Sequence, residues 1–183
     1  MHFEKCTHFA LPMMKVSDNQ SELFDIVDEN DHVIGQATRG EVHKNKNLIH
    51  RSIGIIVFNK KSEIFLQQRS STKDTDPLKW TISASGHVLS GDSYEDTAKR
   101  ELVEELGVNL RIEMVVKYLC YAPQETEMQK LFRAASNGPF DLHSEEIKQG
   151  KFFAQDELIK TLKQNKLQLS YSGKMSLSKI GWL

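Results

Sequence analysis

The run from Gly86 to Val108, GHVLSGDSYEDTAKRELVEELGV, constrains this chain more than any other stretch. Ser93 followed three residues later by Asp96 has the form of a helix N-terminal cap, and Gly107 stands where a C-terminal glycine ends a helix. The spacing predicts a helix of about four turns. Ala98, Leu102 and Leu106 recur every four residues as an apolar stripe, and Glu101, Glu104 and Glu105 are expected together on an adjacent face. Three carboxylates in one turn, near the negative end of the helix dipole, cost about 0.2–0.5 kcal/mol per like-charged pair. A divalent cation with oxygen ligands would turn that repulsion into attraction. A solvated acidic face is the plain alternative, and it is the usual meaning of an isolated EXXEE.

Around this helix the chain reads as strands first and helices last. Glu22 to Val27 and Val33 to Ala37 are short apolar segments on either side of the turn-like DENDH, followed by a polar stretch, Gly40 to Asn47. Ile49 to Phe58 is apolar on both alternating faces, as a central buried strand requires. Ile64 to Gln68, Thr81 to Ser85, Leu110 to Tyr121, Met128 to Ala135 and Lys151 to Ala154 are further extended segments. Gln124, Glu125, Thr126 and Glu127 are expected on a polar loop. Helices are expected over Gln155 to Lys163 and within Ser172 to Ile180. The pattern is that of an α/β domain with a mixed sheet and helices on both faces.

With 183 residues, one domain over 21–183 behind a poorly ordered arm at 1–20 is expected. A net charge of −1 gives no electrostatic footprint for nucleic acid or an anionic membrane. Cys6 and Cys120 lack metal-ligand spacing and read as free thiols. The first twenty residues lack a signal-peptide core, and no later run has the length of a membrane span, so a cytoplasmic location is the default expectation. A homodimer is left open.

The central stretch resembles the Nudix box: Gly86, Arg100, Glu101, Leu102, Glu104, Glu105, Gly107 and Val108 fall in its register, with Asp92 where the family has Glu. The resemblance implies a Nudix-type α/β/α sandwich. It also implies Mg²⁺ or Mn²⁺ held by Glu101, Glu104 and Glu105, a contact between Asp92 and Arg100, and hydrolysis of a nucleoside diphosphate linked to another group. Glu104, Glu105 or Glu127 is the candidate base for that chemistry, in which a cation offsets phosphate charge and a carboxylate handles the attacking water.

A finer resemblance is to the type I isopentenyl diphosphate isomerases. The runs HKNKNLIHRS and FLQQRSSTKDTDPLKWTISASGH carry it. It implies a metal site from His43, His50, His87, Glu125 and Glu127, with Arg69 and Lys73 gripping a diphosphate. Ser85, however, occupies the isomerase's essential cysteine position, and Lys166 to Tyr171 holds no Trp. A serine hydroxyl is a far weaker acid than a thiol. With the glutamate box intact, hydrolysis is the expected activity, and isomerase-like action on a prenyl diphosphate or non-catalytic diphosphate binding are the alternatives. Taken singly, the histidines read as ordinary polar residues, Glu125 and Glu127 as solvated, Arg69 and Lys73 as turn-flanking, and Trp80, Phe132 and Tyr118 as core rather than base-stacking groups.

Overall fold

The computed structural model describes residues 18–183, so most of the expected arm lies outside the described residues. The chain enters through β1 (Leu23–Val27) and β2 (Val33–Thr38), an antiparallel hairpin. A short helix, α1 (Arg39–Val42), replaces the start of the polar stretch. Its signal is Thr38-x-x-Glu41, a capping box in which the Thr38 N–H donates to Glu41 Oε2 at 2.7 Å.

β3 (Ile49–Phe58) is the axis of the sheet. β8 (Thr126–Ala135) runs parallel along its whole length, from Ile49 opposite Thr126 to Phe58 opposite Ala135. Its other edge is shared by three antiparallel strands in turn: β1 at His50, β6 (Ala84–His87) at Ser52 to Ile55, and β4 (Ile64–Arg69) at Phe58. β5 (Trp80–Thr81) and β9 (Ile147–Phe153) extend the sheet from β4, and β7 (Glu113–Tyr121) from β8. The expected single segment from Thr81 to Ser85 is therefore two strands on different partners.

Because successive strand residues face opposite ways, β3 feeds two cores. Ile53, Ile55 and Val57 join Ala98, Leu102 and Leu106 of α2 (Tyr94–Leu106) on one face. Ile56 joins Leu158 of α3 (Gln155–Lys163) and Leu177 of α4 (Tyr171–Lys179) on the other. The result is an α/β/α sandwich around a mixed sheet. Leu102 and Leu106 are fully buried, and burial of a leucine side chain stabilises by about 1.5–3 kcal/mol.

The ends of α2 match the caps read from the sequence. Ser93 Oγ accepts from the Asp96 N–H at 3.1 Å, and Gly107 takes a left-handed φ of 67° while Val108 N–H bonds back to the Leu102 carbonyl. Ser93→Ala should therefore lower stability by about 1 kcal/mol in urea unfolding, and Ser93→Gly by a few tenths. No loss in Ser93→Ala would show that the cap hydrogen bond is not what holds this end.

Candidate metal and diphosphate site

The pairing of β3 with β6 and β8 places four pairs of residues side by side. His50 lies opposite Glu127, Ser52 lies opposite both His87 and Gln129, and Gly54 lies opposite Ser85. His50, His87, Glu125 and Glu127 each offer a ligand atom, and these atoms lie within 4.8 Å of one another. His43, just after α1, adds its Nε2 at 3.0 Å from Glu125 Oε2, which is also 3.4 Å from His50 Nε2 and 3.5 Å from His87 Nε2. All five residues of the expected His and Glu set thus converge.

Glu125 and Glu127 are buried, and Thr126 and Glu127 belong to β8. The expectation of a polar loop is corrected here. The strand begins earlier than its apolar residues suggest, because a polar ligand set takes the place of an apolar face at its start.

The donor set fits a cation. His43 Nε2, His50 Nε2 and Glu125 Oε2 are buried and, despite their proximity, lack hydrogen-bond partners of acceptable geometry among the described residues. Such buried polar atoms are costly unless something else satisfies them. With metal–ligand distances of about 2.0–2.2 Å, donors across an ion lie about 4 Å apart, as these atoms nearly do. Phe24, fully buried on β1, stacks on His50 at 5.3 Å and packs at a tilt against His87 at 5.0 Å, so the rings have little freedom to turn. Burial opposes ionisation of Glu125, but contacts from His43, His50 and His87 outweigh it and hold its carboxyl far below the usual range. Burial likewise works against a charged His87, yet Glu125 and Glu127 lift it to about 9.

Beside the cluster is a cleft of about 90 Å³ that receives Arg69, Lys73 and Ser85 as well as His87, Glu125 and Glu127. Arg69 is held by the Thr75 carbonyl at 3.0 Å. Lys73 pairs with Asp18 and, at 2.6 Å, with Glu146. Sequence reasoning missed Arg39, which is buried and lines the same cleft. It grips Asp74 through two contacts of 3.1 Å and lies 2.8 Å from His87 Nδ1. The capping box that forms α1 was its available signal. Asp74, inside a run of turn formers, carried none.

The three box glutamates separate. Glu101 and Glu105, one turn apart, point at β6, and Glu105 accepts from Gln67 and from the Ser85 N–H at 3.4 Å. Glu104 is exposed and bonds to Arg100 at 3.0 Å, so the expected common face is corrected: a step of 100° per residue turns Glu104 away from Glu105. Arg100 also pairs with Glu101 at 3.0 Å, whereas Asp92 is exposed, and no Asp92–Arg100 pair occurs among the described residues. Gly86 explains how Glu101 fits, since a Cβ there would sit 2.4 Å from the Glu101 carboxyl carbon. Burial raises Glu101 to about 7, with Glu104 adding to the rise against Arg100, and burial plus the nearby Glu101 also raises Glu105 well above its ordinary value.

A buried carboxyl with a raised pKa holds a proton that the unfolded chain has released. Its contribution is complete below the ordinary value of 4.5 and is lost as pH rises through about 7. Without divalent cations the melting temperature should fall between pH 5 and pH 8, by the equivalent of roughly 3 kcal/mol if Glu101 shifts as far as its burial implies. Glu101→Gln should flatten that fall in a thermal scan. A wild-type profile already flat over this window would contradict the raised value.

Comparison with known proteins bears on the family and the fold. The NUDIX domain model matches residues 48–171. An uncharacterized Nudix hydrolase of Pseudomonas aeruginosa, PA4841, is 33% identical over 135 residues, covering 73% of this chain and 79% of that protein. Isopentenyl-diphosphate Delta-isomerase I of Clarkia breweri is 30% identical over 164 residues, covering 76% of this chain but 57% of the isomerase. The crystal structure of DR0079 from Deinococcus radiodurans shares the fold, with a TM-score of 0.73 at 21% identity over 87% of this chain and 98% of that one. Among the described residues no helix is long and apolar enough to cross a membrane.

Proposed function

Because the chain belongs to the Nudix family, we propose that it is a metal-dependent hydrolase that cleaves the diphosphate bond of a nucleoside diphosphate or similar small molecule. One observation carries this: a convergent His and Glu cluster opens on the same cleft as Arg69 and Lys73. The cluster would hold a divalent cation, and Glu101 and Glu105, which point at β6 together, a second, whereas Glu104 is turned away from them. Such a cation neutralises phosphate oxygens and acidifies a bound water. Mg²⁺ or Mn²⁺ serves that role, and the nitrogen-containing set at His43, His50 and His87 suits Mn²⁺ better, since Mg²⁺ prefers oxygen ligands throughout.

The remaining work falls to the chain's own residues. Arg69 presents a planar fork to a phosphate and Lys73 a compact charge, and both orient the diphosphate against the cluster. Lys73 is engaged by Asp18 and Glu146, so a phosphate must compete with two carboxylates for it. Glu127, buried and beside His87, accepts the proton of the attacking water. Arg100 bridges Glu101 and Glu104 and offsets part of the repulsion between them.

A prenyl-diphosphate isomerase is the second reading, favoured by the five-residue cluster and by relatives such as the Clarkia enzyme. Ser85 separates the two. It lines the cleft, but its backbone N–H is what contacts Glu105, and no base activates its hydroxyl among the described residues.

Phosphate-bond cleavage across a panel of nucleoside and sugar diphosphates should require a divalent cation, vanish on chelation and return with Mn²⁺. Glu127→Gln should lower kcat by about 10²-fold or more. Deuterium uptake by isopentenyl diphosphate in heavy water, faster in Ser85→Cys and without bond cleavage on any panel compound, would replace this reading with the isomerase.

A further inference from the structure

One two-residue step along β3 and β8 from the metal cluster, about 6.6 Å away, the cleft floor is polar where an alkyl-binding pocket would be apolar. Ser52 and Gln129 lie opposite each other there, and each is 2% exposed. Ser52 Oγ is buried without a partner among the described residues. Gln129 is pinned from behind: its Oε1 accepts from the Tyr118 hydroxyl and from Ser176 Oγ at 3.1 Å, and those two hydroxyls are 3.1 Å from each other.

With its oxygen held by Ser176 of α4, the amide turns Nε2 along the sheet toward Gly54, at the border between the cleft that Gln129 lines and the Ile82 and Leu131 side chains that fill the space over that glycine. A Cβ at Gly54 would come within 3.7 Å of that nitrogen. Nε2 has no acceptor among the described residues. Ser85 and Ser172 complete this part of the lining, and Ile53, the one aliphatic residue named in it, turns its side chain away to the α2 core.

An oriented N–H pair and an unpartnered hydroxyl are costly to bury beneath a ligand that cannot accept from them. A site built to hydrogen-bond its substrate rejects the analogue that lacks the group more strongly than an apolar pocket rejects an extra methylene. We propose that Gln129, held by Tyr118 and Ser176, is a specificity-determining residue. Together with Ser52 it selects diphosphates whose attached group carries hydroxyl or carbonyl oxygens close to the diphosphate and rejects those carrying a hydrocarbon chain. The inference rests on the diphosphate-binding reading above and adds to it which side of the substrate is read, and by which atoms. Tyr118 and Ser176 are positioning residues, acting through the amide they hold.

The test is calorimetric binding, in the presence of Mn²⁺, of two non-hydrolysable methylenebisphosphonate esters of matched ring size, one ribosyl and one cyclopentylmethyl. Wild type should prefer the ribosyl ester by roughly 10- to 100-fold. Gln129→Met should bring the two within about threefold. Tyr118→Phe, which leaves the amide in place but frees it to turn, should give an intermediate ratio. It also serves if Gln129→Met does not fold. Equal binding of the two esters by wild type, or a ratio unchanged in both variants, overturns the inference while leaving diphosphate binding intact. Binding of neither ester overturns the diphosphate reading itself and this inference with it.

Discussion

The register between β3 and its two neighbours is the constraint on which the site depends. His50 joins the cluster only because it is level with Glu127 on β8, and Ser52 brings His87 alongside from β6. A slip of one residue in either pairing would turn every one of these side chains to the other face of the sheet. The slip is prevented by the apolar residues between them. Ile53, Ile55 and Val57 are fully buried against α2, and no alternative register keeps them there while sending Ile56 to α3 and α4. The hydrophobic effect thus sets the positions of polar ligands that it could never favour by themselves.

β6 divides the chemistry between the two faces of the sheet. His87 and Ser85 project toward the cleft, while Gly86, between them, faces the helix and leaves room for the Glu101 carboxylate. Two groups of acidic side chains can therefore approach one short strand from opposite sides. They answer burial differently. Glu125 is held ionised by three histidines, whereas Glu101 and Glu105, with fewer cationic neighbours, are pushed toward their protonated forms.

Much of this was legible in the residues. The caps of α2, its apolar stripe, the two-faced character of β3 and the gathering of His43, His50, His87, Glu125 and Glu127 all appear where the sequence reading expected them. Three things did not. Glu104 turned outward, the Asp92–Arg100 contact is missing among the described residues, and Glu127 moved from a loop into a buried strand. Each miss has the same origin. Helical phase alone does not say which part of an acidic arc meets a neighbouring strand, and polar ligands at a strand's start look like loop residues until a partner strand is known.

By itself the sequence determined what depends on residues close along the chain: the hydrogen bond from the Asp96 N–H to Ser93, the left-handed turn at Gly107, and the alternation that sends Ile55 one way and Ile56 the other. These follow from fixed periods of 3.6 and 2 and from local sterics. The tertiary structure decided what depends on distant partners. It brought Arg39 to Asp74 and His87, set Ser176 behind Gln129, and placed Glu101 against Gly86. Those contacts exist only after the sheet has paired and both cores have closed, and no local pattern in the chain encodes the distances across which they form.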